Sequence, residues 1–389
     1  MGLDSSTPSR ADVGLLSPVW VGTSAEALTS DAALVEAMRS FERALAAALA
    51  EHSLAPAAEV GDVELDVRAV AEEAVAAGNP TLSVLARLRG AAEDGRWLHH
   101  GATSQDLVDS ALMTTASGVL RQLDRDLVGL ADRLAARVRA DRSVLCVART
   151  LTQQAMPTTV GFRVAGWLSG VHDALELVRG CLPLPVSLGG PVGTAAAYGA
   201  AGPAVVDSVA AAMGLAAPVV SWHTRRTPLL TLGTALAAVG EACGRIGADL
   251  LLMSQTEVGE ASDGSAGASS AMPHKANPVR SVLVVSAARQ LPALLSTIAS
   301  AGAAASERPA GEWHAEWQPL RTMMRLAGAA AEHTSTIADE LTFDPAAMTR
   351  NLALLLTALD RDERWATEET AHVGVWVDRV LARHQELCG

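Results

Sequence analysis

The sequence predicts an all-α protein, and three observations predict it. Alanine and leucine, the residues with the best helix propensity, dominate a chain that is 49% hydrophobic and 3% aromatic. Apolar residues recur at steps of three and four over long stretches. No alternating strand pattern longer than about four residues and no strand–helix–strand rhythm interrupts them.

The elements follow in order. Over residues 31–50, Leu34, Met38, Phe41, Leu45 and Leu49 line one face behind the capping run Thr29-Ser30-Asp31. A longer stripe is Leu120, Leu123, Leu127, Leu130, Leu134 and Val138. The sharpest is Leu232, Leu236, Val239, Cys243, Ile246, Leu250 and Met253, alternating four and three, with Gly233, Gly240 and Gly247 repeating at the same interval. Such a stripe faces a neighbouring helix at a shallow angle, and a glycine row in a helix is costly unless it lets another backbone approach. Long helices packed side by side, within one chain or across subunits, are expected. Gly/Pro-rich breaks fall at 184–203 and 259–278, and a polar loop as long as the second is functional or disordered. Three domains are expected: an N-terminal helical domain over 1–108, a central long-helix domain over 109–340, and a small C-terminal helical domain over 341–389.

Charge and cysteine usage exclude several functions. Thirty basic residues against 43 acidic ones give a net charge of −13, which argues against nucleic acid or an anionic membrane as partner. An anionic substrate must be held by a local cluster of positive groups. Cys146, Cys181, Cys243 and Cys388 are scattered, so buried thiols in a reducing compartment are expected, and no metal or organic cofactor is implied. The first ten residues lack the apolar core of a secretory signal, and Pro292 spoils the uncharged stretch 290–306 as a membrane span. A cytoplasmic protein is expected.

One count redirects attention. Lys275 is the only lysine in the chain, every other Lys/Arg position being arginine, and asparagine is nearly as scarce (Asn79, Asn277, Asn351). Lysine is a compact point charge where arginine is a wide fork, so a tight pocket around a small carboxylate favours it. Lys275 lies in the run GASSAMPHKANP over 267–278. This run resembles the GSSxMPxKxNP signature of the fumarase/aspartase superfamily, with Ser269, Ser270, Met272, Pro273, Lys275, Asn277 and Pro278 at the matching positions and Ala268 in place of a glycine. HHGATSQD over 99–106 is similar to the superfamily's HxGxTSxD box, and RTLTQQAMPTT over 149–159 to its RTxxQxxxPTT box. SERPAGEWHAEW over 306–317 and SWHTR over 221–225 resemble stretches of one branch, the bacterial 3-carboxy-cis,cis-muconate cycloisomerases.

The resemblance implies long central helices forming a homotetrameric bundle, with active sites shared between subunits and a small di- or tricarboxylate as substrate. The implied chemistry is anti addition or elimination across a Cα–Cβ bond next to a carboxylate. The activated carboxylate becomes a dianion, which calls for preorganised donors. Thr103, Ser104, Lys275 and Asn277 are those donors by resemblance, and Ser269 matches the family's acid/base serine, with His274 beside it. Arg308, in the branch-specific stretch, is the first choice for extra positive charge, with Arg226 and Arg149 behind it; His100 and His314 are candidate hydrogen-bond partners of the substrate.

The departures from the family pattern discriminate further. Leu151 and Gln154 stand where relatives carry a histidine acid, and Val282 where a glutamate is frequent. Losing a general acid costs roughly 10²–10⁴ in rate when hydroxide or an amine must leave. A carboxylate leaves unaided, and Gln154 can orient it by hydrogen bonding. This favours cycloisomerisation of a carboxymuconate. It also admits nitrite release from a nitrosuccinate, and a catalytically silent scaffold is the third alternative. Only 49 residues follow Glu340, where the resemblance implies a fuller third domain.

Overall fold

The computed structural model describes residues 12–265, 267, 272 and 275–389. Among these, helices dominate in chain order: α1 (Ser24–Leu28), α2 (Asp31–Glu51), α3 (Val67–Ala77), α4 (Thr81–Ala91), α5 (Ser104–Ala140), α6 (Val160–Gly180), α7 (Gly202–Met213), α8 (Thr227–Met253), α9 (Val279–Ala301), α10 (Glu312–Glu340), α11 (Pro345–Leu359), α12 (Glu363–Thr370) and α13 (Val373–Cys388). Two short antiparallel ladders accompany them: β1 (Leu145–Thr150) with β2 (Gln153–Thr159), and β3 (Ala261–Ser262) with β4 (Thr342–Phe343).

The periodic stripes are the core. All six stripe residues of α5 and all seven of α8 are buried, as the heptad-like spacing requires. Ser30 caps α2, its hydroxyl accepting from the Ala33 N–H at 3.1 Å, which satisfies one of the free donors of the first turn. On α2 the stripe residue Leu34 is half-buried, while Met38, Phe41, Leu45 and Leu49 are enclosed.

The glycine row of α8 brings in α9 of the same chain. A Cβ on Gly240 would lie 2.1 Å from Leu291 Cδ1, one on Gly244 2.4 Å from Ala288 Cβ, and one on Gly247 3.1 Å from the Ser281 carbonyl. Rising positions on α8 meet falling positions on α9, so the two run antiparallel. The start of α8 is tied to the start of α5 by the Arg226–Asp109 pair, so α5 and α8 point the same way. At the far end, Arg137 near the end of α5 stacks on Phe343, which pairs with Ala261 just after α8.

Two features differ from expectation. The RTxxQ segment is a β-hairpin rather than part of a helical or loop region; its strands are short and its turn, Leu151-Thr152, carries none of the usual turn residues. The 108/109 boundary falls inside α5, which runs unbroken from Ser104. Beyond α10, α11 packs on the hairpin through Leu352, Leu355 and Leu356 around Val147, and α13 returns to α6, its Val377 joining the main core.

Candidate active site

The first box sits at the start of α5. Thr103 is the N-cap in extended conformation, and Asp106, three residues on, accepts from the Thr103 N–H at 3.0 Å. The same buried carboxylate accepts from the N–H groups of Gly189 (2.9 Å) and Gly190 (2.8 Å) and from the Ser187 hydroxyl (3.3 Å), and it meets His223 Nε2 at 2.6 Å. A carboxylate in the first turn also complements the helix dipole. Asp106 therefore locks the glycine-rich loop onto the helix end. Gly101 (φ 78°) and Gly190 (φ 71°) are required there: a Cβ on the first would strike the Tyr198 ring at 2.5 Å, and on the second the Gly101 carbonyl at 2.7 Å.

Arg308 reaches this end. Its Nη1 donates to Thr103 Oγ1 at 2.6 Å, so Thr103, Ser104 and Arg308 are brought together. His100 packs edge-on to Trp97 with ring centres 5.3 Å apart, and its carbonyl accepts from the Tyr198 hydroxyl at 3.0 Å. His314 is exposed between Trp313 and Trp317.

Two arginines are committed elsewhere. Arg226 is buried between two carboxylates, bidentate to Asp109 (2.7 and 3.1 Å) and bonded to Glu316 (shortest 2.6 Å), while Trp313 Nε1 donates to Asp109 at 2.9 Å. With two anions against one cation, burial raises the Glu316 carboxyl above its ordinary range despite Arg226. Arg149 is bidentate to the buried Glu260 at 2.8 and 2.7 Å, and Glu260 also accepts from Asn351 at 2.8 Å. These guanidiniums hold the scaffold and have no fork left for a substrate.

The other boxes occupy the opposite end. At the tip of the β1–β2 hairpin, Leu151 (φ 50°) and Thr152 (φ 68°) both adopt left-handed backbone, and Leu151 is 96% exposed. A β-branched residue there is a strained choice, a condition that clusters at functional sites. Gln154 is exposed in β2, where its backbone pairs with Arg149, and its side chain has no hydrogen-bond partner among the described residues. The loop before α9 is narrow at its neck: the Gly267 and Asn277 backbones pair, and the Asn277 amide donates to the Gly267 carbonyl at 3.1 Å. Asp263 fastens the neck, accepting from the Ser281 N–H and hydroxyl at 3.0 and 2.8 Å and from Ser265. Lys275 is exposed, its N–H donating to the Met272 carbonyl at 3.0 Å. Ser269, Ser270 and His274 lie outside the described residues.

Distance separates the two groups. α8, 27 residues long, leads from the Arg226–Asp109 end to the Glu260–Arg149 end, a rise of roughly 40 Å at 1.5 Å per residue. Within one chain, Thr103, Ser104, His100 and Arg308 lie at one end of the bundle and Gln154, Lys275 and Asn277 at the other. No small polyacid touches both.

Sequence reasoning assigned no role to Asp106, Asp109, Tyr198 or His223, whose partners are remote in the chain. His223 Nδ1 and Ser221 Oγ are buried without a partner among the described residues, and both border Gly193, where a Cβ would lie 4.0 and 3.3 Å from them.

A helical bundle carrying these three boxes defines a lyase of the fumarase/aspartase superfamily. Residues 17–292 match the Lyase family profile, and the chain belongs to that family. It is 40% identical over 370 residues to a nitrosuccinate lyase of Streptomyces davaonensis, covering 88% of this chain and 77% of that one. It is 36% identical over 355 residues to a 3-carboxy-cis,cis-muconate cycloisomerase of Bradyrhizobium diazoefficiens, covering 87% and 79%. The crystal structure of the 3-carboxy-cis,cis-muconate lactonizing enzyme from Pseudomonas putida superposes with a TM-score of 0.86 at 28% identity over 97% of this chain and 100% of that one.

Proposed function

We propose that the protein is a cycloisomerase of the 3-carboxy-cis,cis-muconate type, acting in the cytoplasm in aromatic catabolism. It moves a carboxylate across the Cα–Cβ bond next to a second carboxylate, forming or opening a lactone. Ser269 exchanges the proton, Thr103, Ser104, Lys275 and Asn277 hold the carboxylate that becomes dianionic, and Gln154 with Arg308 positions the internal nucleophile. The observation that carries the reading is the hairpin tip: Leu151, Thr152, Gln153 and Gln154 offer no titratable group, which favours a leaving group that departs as a stable anion without an acid from this position.

The separation of the boxes supports a homotetramer whose sites draw on several copies. So does surface chemistry: α8 and α9 are long and apolar enough to cross a membrane, yet only 22% of the most apolar stretch of α9 is buried in its own chain. Arg280 and Arg289 lie along α9, and a charged side chain at mid-bilayer is costly, so further copies of the bundle are the better cover. The 40% identical nitrosuccinate lyase favours a second reading, nitrite release from a substituted succinate, which also needs no acid.

Mixing the purified protein with 3-carboxymuconate tests the first reading. Loss of the diene's ultraviolet absorbance supports it; no loss, together with nitrite released from nitrosuccinate, replaces it with the second. Silence on both, from a normal assembly by light scattering, would leave a scaffold.

A further inference from the structure

One cluster of ligating side chains lies away from both ends of the bundle. His172 on α6 is fully buried, His384 on α13 is nearly so, and Cys388 follows His384 by one helical turn. The i, i+4 spacing puts His384 and Cys388 on one face of α13. One ligand atom from each of the three lies within 4.8 Å of the others.

We propose that His172, His384 and Cys388 bind a borderline-soft divalent transition metal of the zinc class, clipping the C-terminal helix α13 to α6. His172 Nε2 and His384 Nδ1 are 3.4 Å apart. That is close to the edge of a tetrahedron with metal–nitrogen bonds of about 2.0–2.1 Å. The other nitrogen of His384, Nε2, lies 3.2 Å from Asp132 Oδ1 on α5. A proton held there by the carboxylate leaves the Nδ1 lone pair free toward His172, the arrangement that orients metal-bound histidines. His172 Nδ1 has no partner among the described residues, so no hydrogen bond there prevents its proton from residing on Nδ1 and Nε2 from donating its lone pair. Cys388 is half-buried. Metal binding would form the metal–sulfur bond as the thiol proton leaves to solvent. Two neutral imidazoles and one thiolate are a donor set suited to Zn²⁺ rather than Mg²⁺ or Ca²⁺. The partly open Cys388 side leaves a fourth position for water.

Chelator-treated, reduced full-length protein titrated with Co²⁺ reads the site directly. One equivalent per chain should give tetrahedral visible bands and a sulfur-to-cobalt band in the near ultraviolet, both displaced by Zn²⁺. Cys388→Ser should lose the near-ultraviolet band, and His384→Gln should weaken binding by about a hundredfold. Asp132→Asn, which only orients His384, should weaken it by about 10–100-fold. Zn²⁺, but not Mg²⁺, should raise the melting temperature of the wild type and not of Cys388→Ser. A wild-type protein that shows no cobalt bands, or a spectrum unchanged in a folded Cys388→Ser variant, would overturn the proposal.

Discussion

At the scale of single residues, the proposed site divides into groups assigned to the substrate and groups that hold them in place. Asp106 belongs to the second class, since its carboxylate is filled by three backbone N–H groups, the Ser187 hydroxyl and His223. Removing it leaves those donors buried and unpaired. Asp106→Ala should destabilise the protein by about 3–5 kcal/mol, read as a lower urea midpoint, and a midpoint within error of wild type would refute the hub. Ser269→Ala should abolish turnover with the circular dichroism unchanged. Lys275→Arg should be nearly as damaging because the wider fork does not fit, and normal kinetics would remove the tight-pocket argument. The solitary lysine was legible because composition isolates it. Asp106 was not, because its partners lie up to 117 residues away and nothing local marks them. Thiol chemistry is also set residue by residue. Burial pushes Cys146 up to about 11 and Cys243 up to about 12. Both should resist a thiol-specific reagent at neutral pH until denaturant is added; rapid labelling of either in the folded protein would contradict their enclosure.

Among elements, helices were read correctly wherever an apolar stripe persisted over several turns, because period and burial are the same physical constraint. The β1–β2 hairpin escaped because six- and seven-residue strands carry little periodicity and Leu151-Thr152 lacks the Asn-Gly signal of a tight hairpin turn. Two left-handed non-glycine residues each cost roughly 1–2 kcal/mol. Replacing the pair with Asn-Gly should therefore raise the melting temperature, while an unchanged or lower value would mean the tip is unstrained. The glycine row announced a close helix neighbour but not which one; α9 of the same chain fills it. A Cβ on Gly244 meets Ala288 Cβ at 2.4 Å, too near for either helix to stay in place. Gly244→Ala should then cost about 1–3 kcal/mol, measured by chemical denaturation.

For the whole molecule, the decisive fact is the length of the bundle. Three boxes that the sequence presents as one catalytic set are divided between ends roughly 40 Å apart, a separation no motif reveals. The proposed site then draws on more than one copy, with the apolar face of α9 as the proposed contact. Two inactive variants, one lacking the group at each end, test this most directly. Thr103→Ala combined with Arg308→Ala in one chain, and Lys275→Ala in another, should each be inactive on 3-carboxymuconate alone. When the two are unfolded together and refolded as mixtures, some sites receive both intact ends, and activity should return to a fraction of wild type. Mixtures that form mixed oligomers by mass spectrometry yet stay inactive would contradict the shared site.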